Sequence, residues 1–147
     1  MLQEDILCKS APDPIGNSSQ AIKVGDYIFV AGQLGMDCEN GIISDDVSEQ
    51  TCQCMRNIEA VLKEAGISLE YILRTTMYLT DPSYFETADS AYQSFFRKPF
   101  PARSIAYVNA LPYGAKVQIE AFAIDTRALE VLCAQEKKCN KNVCSMD

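Results

Sequence analysis

Tyr71-Ile72-Leu73-Arg74-Thr75-Thr76-Met77-Tyr78-Leu79 is a run of β-branched, aliphatic and aromatic residues, and Asp81-Pro82 follows it almost at once. The run reads as a strand. Asp before Pro reads as a helix N-cap followed by a first helical residue whose missing N–H is not needed there. Phe85, Ala88, Tyr92 and Phe95 then recur at spacings of three and four, which predicts a helix over about 82–96. On the other side of the strand, Val47, Thr51, Met55, Ile58, Leu62 and Ala65 mark one helical face. Asp46 with Glu49 forms an acidic capping box and Gly66 stands at the C-cap, so a helix is expected over about 47–65.

Working outward from this helix–strand–helix unit, Ser19 to Val24 and Tyr27 to Ala31 are β-rich runs joined by Gly25-Asp26, an opening hairpin. Asn40-Gly41 is a second hairpin signal, with Ile42-Ile43 beginning a short returning strand. Pro99 and Pro101 stop the second helix, after which Ser104 to Val108 and Lys116 to Ile124 read as strands joined by a Pro112-Tyr113-Gly114 turn. Helical crossovers make parallel neighbours and hairpins antiparallel ones. The expected fold is therefore α+β, a mixed sheet with two helices packed on one face. Strands such as Tyr27-Ile28-Phe29-Val30 are apolar on both sides, so the opposite face calls for cover by self-association. Residues 1–126 are expected to form the domain, and 127–147 a Cys- and Lys-rich tail, ordered in part at most.

The chain of 147 residues suits one core, and no apolar run approaches the roughly 18 residues of a membrane span. The N-terminus lacks the basic and apolar segments of a secretory signal, which makes the cytoplasm the expected location. Thirteen Lys and Arg against 20 Asp and Glu leave a net charge of −7, unfavourable for nucleic acids and anionic membranes. Seven cysteines in such a chain read as thiols rather than a disulfide framework. Cys52 and Cys54, two apart on a helix, point to different faces, and Cys133, Cys139 and Cys144 lack zinc-site spacing. With no histidine, the usual Ser–His and Cys–His pairs are excluded. Acid–base work falls to carboxylates, thiols, tyrosines or water.

Three features stand out as candidates for chemistry. Arg103 follows Pro101-Ala102 in an otherwise uncharged stretch at the mouth of a predicted strand, and a guanidinium fork there suits a carboxylate. Glu120 shares a strand face with Gln118 and Phe122; it is either a solvent-facing residue or a carboxylate that orients or deprotonates a water. Gly32-Gln33-Leu34-Gly35 ends a buried strand and either brings backbone close to a ligand or simply turns.

At Pro101-Ala102-Arg103-Ser104, followed by Ile119-Glu120-Ala121, the chain resembles the reactive intermediate deaminase family, RidA or YjgF. The likeness runs through Ala11-Pro12, Ile15-Gly16, Gln20-Ala21, Gly32-Gln33, Asn57-Ile58, Ala65-Gly66, Thr75-Thr76, Tyr84-Phe85, Tyr92 and Phe95-Phe96, about residues 11–126. It implies a chorismate-mutase-like sheet, a homotrimer with clefts between subunits, and hydrolysis of enamines and imines such as 2-aminoacrylate and 2-iminobutanoate without metal or cofactor. In that scheme Arg103 binds the substrate carboxylate, Glu120 positions the water, and Gly32 with Ile105 lines the cleft. Three further pocket positions depart from the family pattern. Asn17-Ser18 stands where active members carry Pro-Tyr, Ala31 where many have Ser, and Asp89 where Asn is typical. The resemblance thus implies a retained carboxylate anchor within altered walls at Ser18, Ala31 and Asp89. Alternatives are a trimer that binds a small carboxylate without turnover, a ribonuclease or translation inhibitor, and a chaperone-like role under oxidation.

Overall fold

The computed structural model describes residues 2–143, with side chains as far as residue 135. Its strands are β1 (Glu4–Ile6), β2 (Ala21–Val24), β3 (Tyr27–Leu34), β4 (Ile72–Leu79), β5 (Ala102–Tyr107) and β6 (Val117–Ile124). Its helices are α1 (Val47–Glu64), α2 (Phe85–Gln93) and α3 (Arg127–Val143). The sheet order is β1-β2-β3-β6-β4-β5, with β4–β5 parallel and the other pairs antiparallel. The expected mixed sheet, with α1 and α2 on one face, is the observed one.

The expected hairpin between the last two strands does not form. Pro112–Gly114 makes one 3-10 turn, and β6 runs on to lie between β3 and β4 instead of beside β5. Burial explains the choice. Val117, Ile119, Ala121 and Ala123 are all buried beneath the helices, so β6 is the strand that gains most from two neighbours. In β5, Ala102, Ser104 and Tyr107 are exposed, which suits an edge. The turn at Asn40-Gly41 does form, with Gly41 at φ 69, but the returning strand reduces to one bridge between Met36 and Ile43. There the Asn40 side chain, not a partner strand, accepts the Ile42 N–H at 2.9 Å.

Helix α1 starts as its residues dictate. Asp46 Oδ1 accepts from the Glu49 N–H at 2.8 Å, and Thr51, Met55, Ile58 and Leu62 are fully buried. The helix lies so close to β3 that a Cβ on Gly35 would stand 2.6 Å from the Gln50 Cα and carbonyl oxygen. Buried amide side chains fasten the loops around this contact. Gln50 Oε1 accepts from Lys116 N and Val117 N, and Asn57 Nδ2 donates to the Leu34 and Met36 carbonyls at 3.0 Å each. Gln20 Oε1 accepts from Cys8 N, while its Nε2 donates to Cys8 O and Pro12 O, pinning the segment before β2. Cys54 is buried and Cys52 is partly exposed, as their spacing required; burial pushes the Cys54 thiol's pKa well up.

Beyond Thr126 the chain is helical through Val143, as α3. Its start is locally braced. The Thr126 hydroxyl donates to Glu130 Oε1 at 2.6 Å, and Arg127 grips Asp125 through Nη2 (2.7 Å) and Nε (2.8 Å), holding that carboxyl at a pKa of about 2. Leu129, Val131 and Leu132 are all more than half exposed, so among the described residues this helix has no core-facing stripe for periodicity to reveal. The Cys139 and Cys144 side chains lie outside the described residues. Among the described residues no helix is long and apolar enough to cross a membrane.

Candidate functional site

On the sheet face away from α1 and α2, Tyr27, Phe29 and Phe122 form an aromatic ladder. The Phe29–Phe122 centroids are 5.0 Å apart and the Tyr27–Phe122 centroids 6.0 Å. Tyr27 and Phe29 remain about half exposed. Beside the ladder the β3–β6 register slips between Val30 and Gln33, so that β3 carries one extra residue there. Such a bulge re-aims side chains. Here it leaves Ala31 exposed and Gly32 partly exposed, and returns Gln33 to the interior. A Cβ on Gly32 would meet the end of the Gln118 side chain, so the glycine is what lets Gln118 lie across the strand.

Ala31 and Ser19 join two hollows on this face. One, of about 540 Å³, is lined by Ser18, Gly32, Tyr113 and Gln118 among others; the second, of about 510 Å³, is lined by Phe29, Thr76, Glu120 and Phe122. Glu120 Oε1 accepts from the Tyr78 hydroxyl at 3.0 Å, and that hydrogen bond, with desolvation, pushes the Tyr78 pKa up. Tyr78 thereby orients the carboxylate as a neutral donor. The Ser18 hydroxyl is already committed to the Ile15 carbonyl at 2.9 Å.

Arg103 sits elsewhere. It lies within β5 rather than at its mouth, and its Nη2 is 2.7 Å from Asp89 Oδ1 on α2. The guanidinium carbon stands 4.7 Å from the Tyr92 ring centroid and 5.8 Å from that of Phe85. Tyr92 is itself fixed by a 2.7 Å hydrogen bond with the buried Thr75 hydroxyl. Arg103 and Asp89 line a hollow of about 260 Å³ with Gln93, Phe100 and Pro101. Ile105 is on the same strand face but packs against the core.

Register makes the separation definite. Thr75 pairs with Arg103 across β4–β5, whereas Thr76 pairs with Glu120 across β4–β6. Paired residues share a face and successive residues alternate. Arg103 and Glu120 therefore occupy opposite faces of one sheet. Ser18, Ala31, Gly32 and Glu120 are gathered on the open face, Asp89 and Arg103 on the helical one. Sequence reasoning missed Tyr78, Tyr92 and Phe85 as neighbours of charged groups. The even-numbered residues of β4 already put Tyr78 on Glu120's side, but Phe85 and Tyr92 carried only the signal of a core-facing helix.

The six-stranded mixed sheet with α1 and α2 packed on one face defines a chorismate-mutase-like α+β protein. The chain belongs to the RidA/YjgF family: residues 8–125 match the family model described as Endoribonuclease L-PSP. Helix α3 lies beyond that match. A RutC family protein of Pyrococcus abyssi is 44% identical over 124 residues, 84% of this chain and 98% of that protein. The human 2-iminobutanoate/2-iminopropanoate deaminase is 38% identical over 125 residues, 84% of this chain and 91% of that protein. The crystal structure of E. coli TdcF with bound serine superposes with a TM-score of 0.80 at 32% identity, covering 83% of this chain and 98% of that one.

Proposed function

We propose that this protein hydrolyses small 2-imino acids and their enamine tautomers, of the 2-iminobutanoate and 2-aminoacrylate class, to 2-oxo acids and ammonia, in clefts between the copies of a homotrimer. The observation that carries this reading is the placement of Arg103 and Glu120 on opposite faces of one sheet, each lining a different hollow. A second copy that sets its Arg103 face against the aromatic open face of the first completes the pair. The uncovered ladder of Tyr27, Phe29 and Phe122 supports such an assembly, and the names of relatives such as the human deaminase support the substrate class.

In this scheme the free guanidinium N–H groups hold the substrate carboxylate. An enamine first takes a proton from solvent on its terminal carbon to become the iminium ion. Glu120, held by Tyr78, accepts a proton as water adds to the iminium carbon. It returns that proton to nitrogen in the carbinolamine, and ammonia leaves as the hydroxyl gives its proton back to Glu120 and the carbonyl forms. The iminium carbon is already electrophilic, so positioning and one oriented water supply the acceleration. The acidic balance and the missing histidine speak against RNA cleavage as the activity of this site.

The test couples the purified protein to a threonine dehydratase and follows trapping of the released imine by semicarbazide. Wild-type protein is expected to suppress the semicarbazone and Arg103→Ala to abolish that suppression. Identical traces for the two proteins contradict the proposal. Ligand binding that depends on Arg103 without any suppression points instead to a carboxylate-binding trimer.

A further inference from the structure

We propose that Asp89 determines specificity at this site, by making the Arg103 hollow select a zwitterionic ligand, with a cationic nitrogen beside its carboxylate, over a plain 2-oxo acid. The inference rests on the reading of Arg103 as a carboxylate anchor. A guanidinium offers five N–H groups. In this protein Nη2 meets Asp89 Oδ1 at 2.7 Å, and Tyr92 and Phe85 stand over the group at 4.7 and 5.8 Å. What remains for a ligand is an edge of the guanidinium lying directly beside a carboxylate. The Asp89 side chain keeps 42% of its surface exposed and lines the same hollow.

Two ligand types meet that edge differently. A 2-oxo acid brings only negative charge and must settle next to Asp89, a like charge within a few ångströms. A protonated 2-imino or 2-amino acid carries its N–H donors on the carbon that bears the carboxylate. It sets the carboxylate on Arg103 and the nitrogen on Asp89, so that a donor and an acceptor are matched at once. Hydrolysis removes that nitrogen. The product therefore loses its contact with Asp89 and keeps only the repulsion, which favours its departure.

Calorimetric titration of the full-length protein with two probes tests this, using 2-oxobutanoate as the plain anion and L-2-aminobutanoate as the stable zwitterion. Asp89→Asn is expected to raise the affinity for 2-oxobutanoate relative to L-2-aminobutanoate by about tenfold, the scale of one unpaired charge at a partly exposed site. Asp89→Glu, which retains the charge, is expected to keep the wild-type preference, and it separates charge from any loss of packing in the Asn variant. An unchanged preference in Asp89→Asn, or an equal loss of preference in Asp89→Glu, overturns the inference. Arg103→Ala serves as the arm for the underlying reading. If it binds both probes as wild type does, the carboxylate anchor itself is wrong; if it loses both while Asp89→Asn leaves the preference intact, only the role of Asp89 falls.

Discussion

The Glu120 side and the Arg103 side of the sheet are built on opposite plans. Around Glu120 the surface is open and aromatic, with Tyr27 and Phe29 half exposed and the carboxylate held by a single tyrosine hydroxyl. Around Arg103 the charge is already matched by Asp89, and the Thr75–Tyr92 hydrogen bond stiffens the wall behind it. The first region lacks a cover and the second lacks a reacting partner. The proposed assembly reconciles the two, because no small ligand reaches both faces of one sheet.

The largest expected effect comes from spoiling the open face. Phe122→Ser removes the centre of the aromatic ladder, about 1.5–3 kcal/mol of apolar burial at every contact. Sedimentation velocity should show the assembly shift toward monomer, with imine hydrolysis lost alongside it while circular dichroism stays native. Smaller effects come from two glycines, one inside the bulge of β3 and one just past the end of that strand. Gly35→Ala drives a Cβ into the α1 backbone at Gln50 and is expected to cost about 1–3 kcal/mol in thermal unfolding. Gly32→Ala meets only the movable end of Gln118. It should hold stability within about 0.5 kcal/mol while lowering turnover several-fold, because Gln118 is pushed from the hollow beside Glu120. Equal stability losses in the two variants would mean that the open face is packed as tightly as the helical one.

Much of this was legible in the sequence because periodicity reports burial. The face shared by Thr51, Met55, Ile58 and Leu62, and the alternation of Gln118, Glu120 and Phe122, both survive in the structure. Pairing order was less legible. Nothing local in Val117–Ile124 says that it inserts between β3 and β4, since that follows from the total burial available at the sheet centre. The three-residue β1 is too short to carry a pattern, and the described side chains of α3, as far as residue 135, are all exposed. At the site, the face on which Glu120 stands depended only on strand alternation. The Arg103–Asp89 contact depends on how α2 lies over β5, a tertiary distance that no spacing encodes.

The central claim is that Arg103 of one copy works with Glu120 of another. Co-expression of Arg103→Ala and Glu120→Ala chains in equal amounts tests it most directly, since each variant alone should be inactive. If the cleft joins two copies of a homotrimer, random mixing restores both residues in about a quarter of the clefts and about a quarter of wild-type activity returns. A mixed population as inactive as either parent, with hetero-oligomers demonstrably present, would contradict the account.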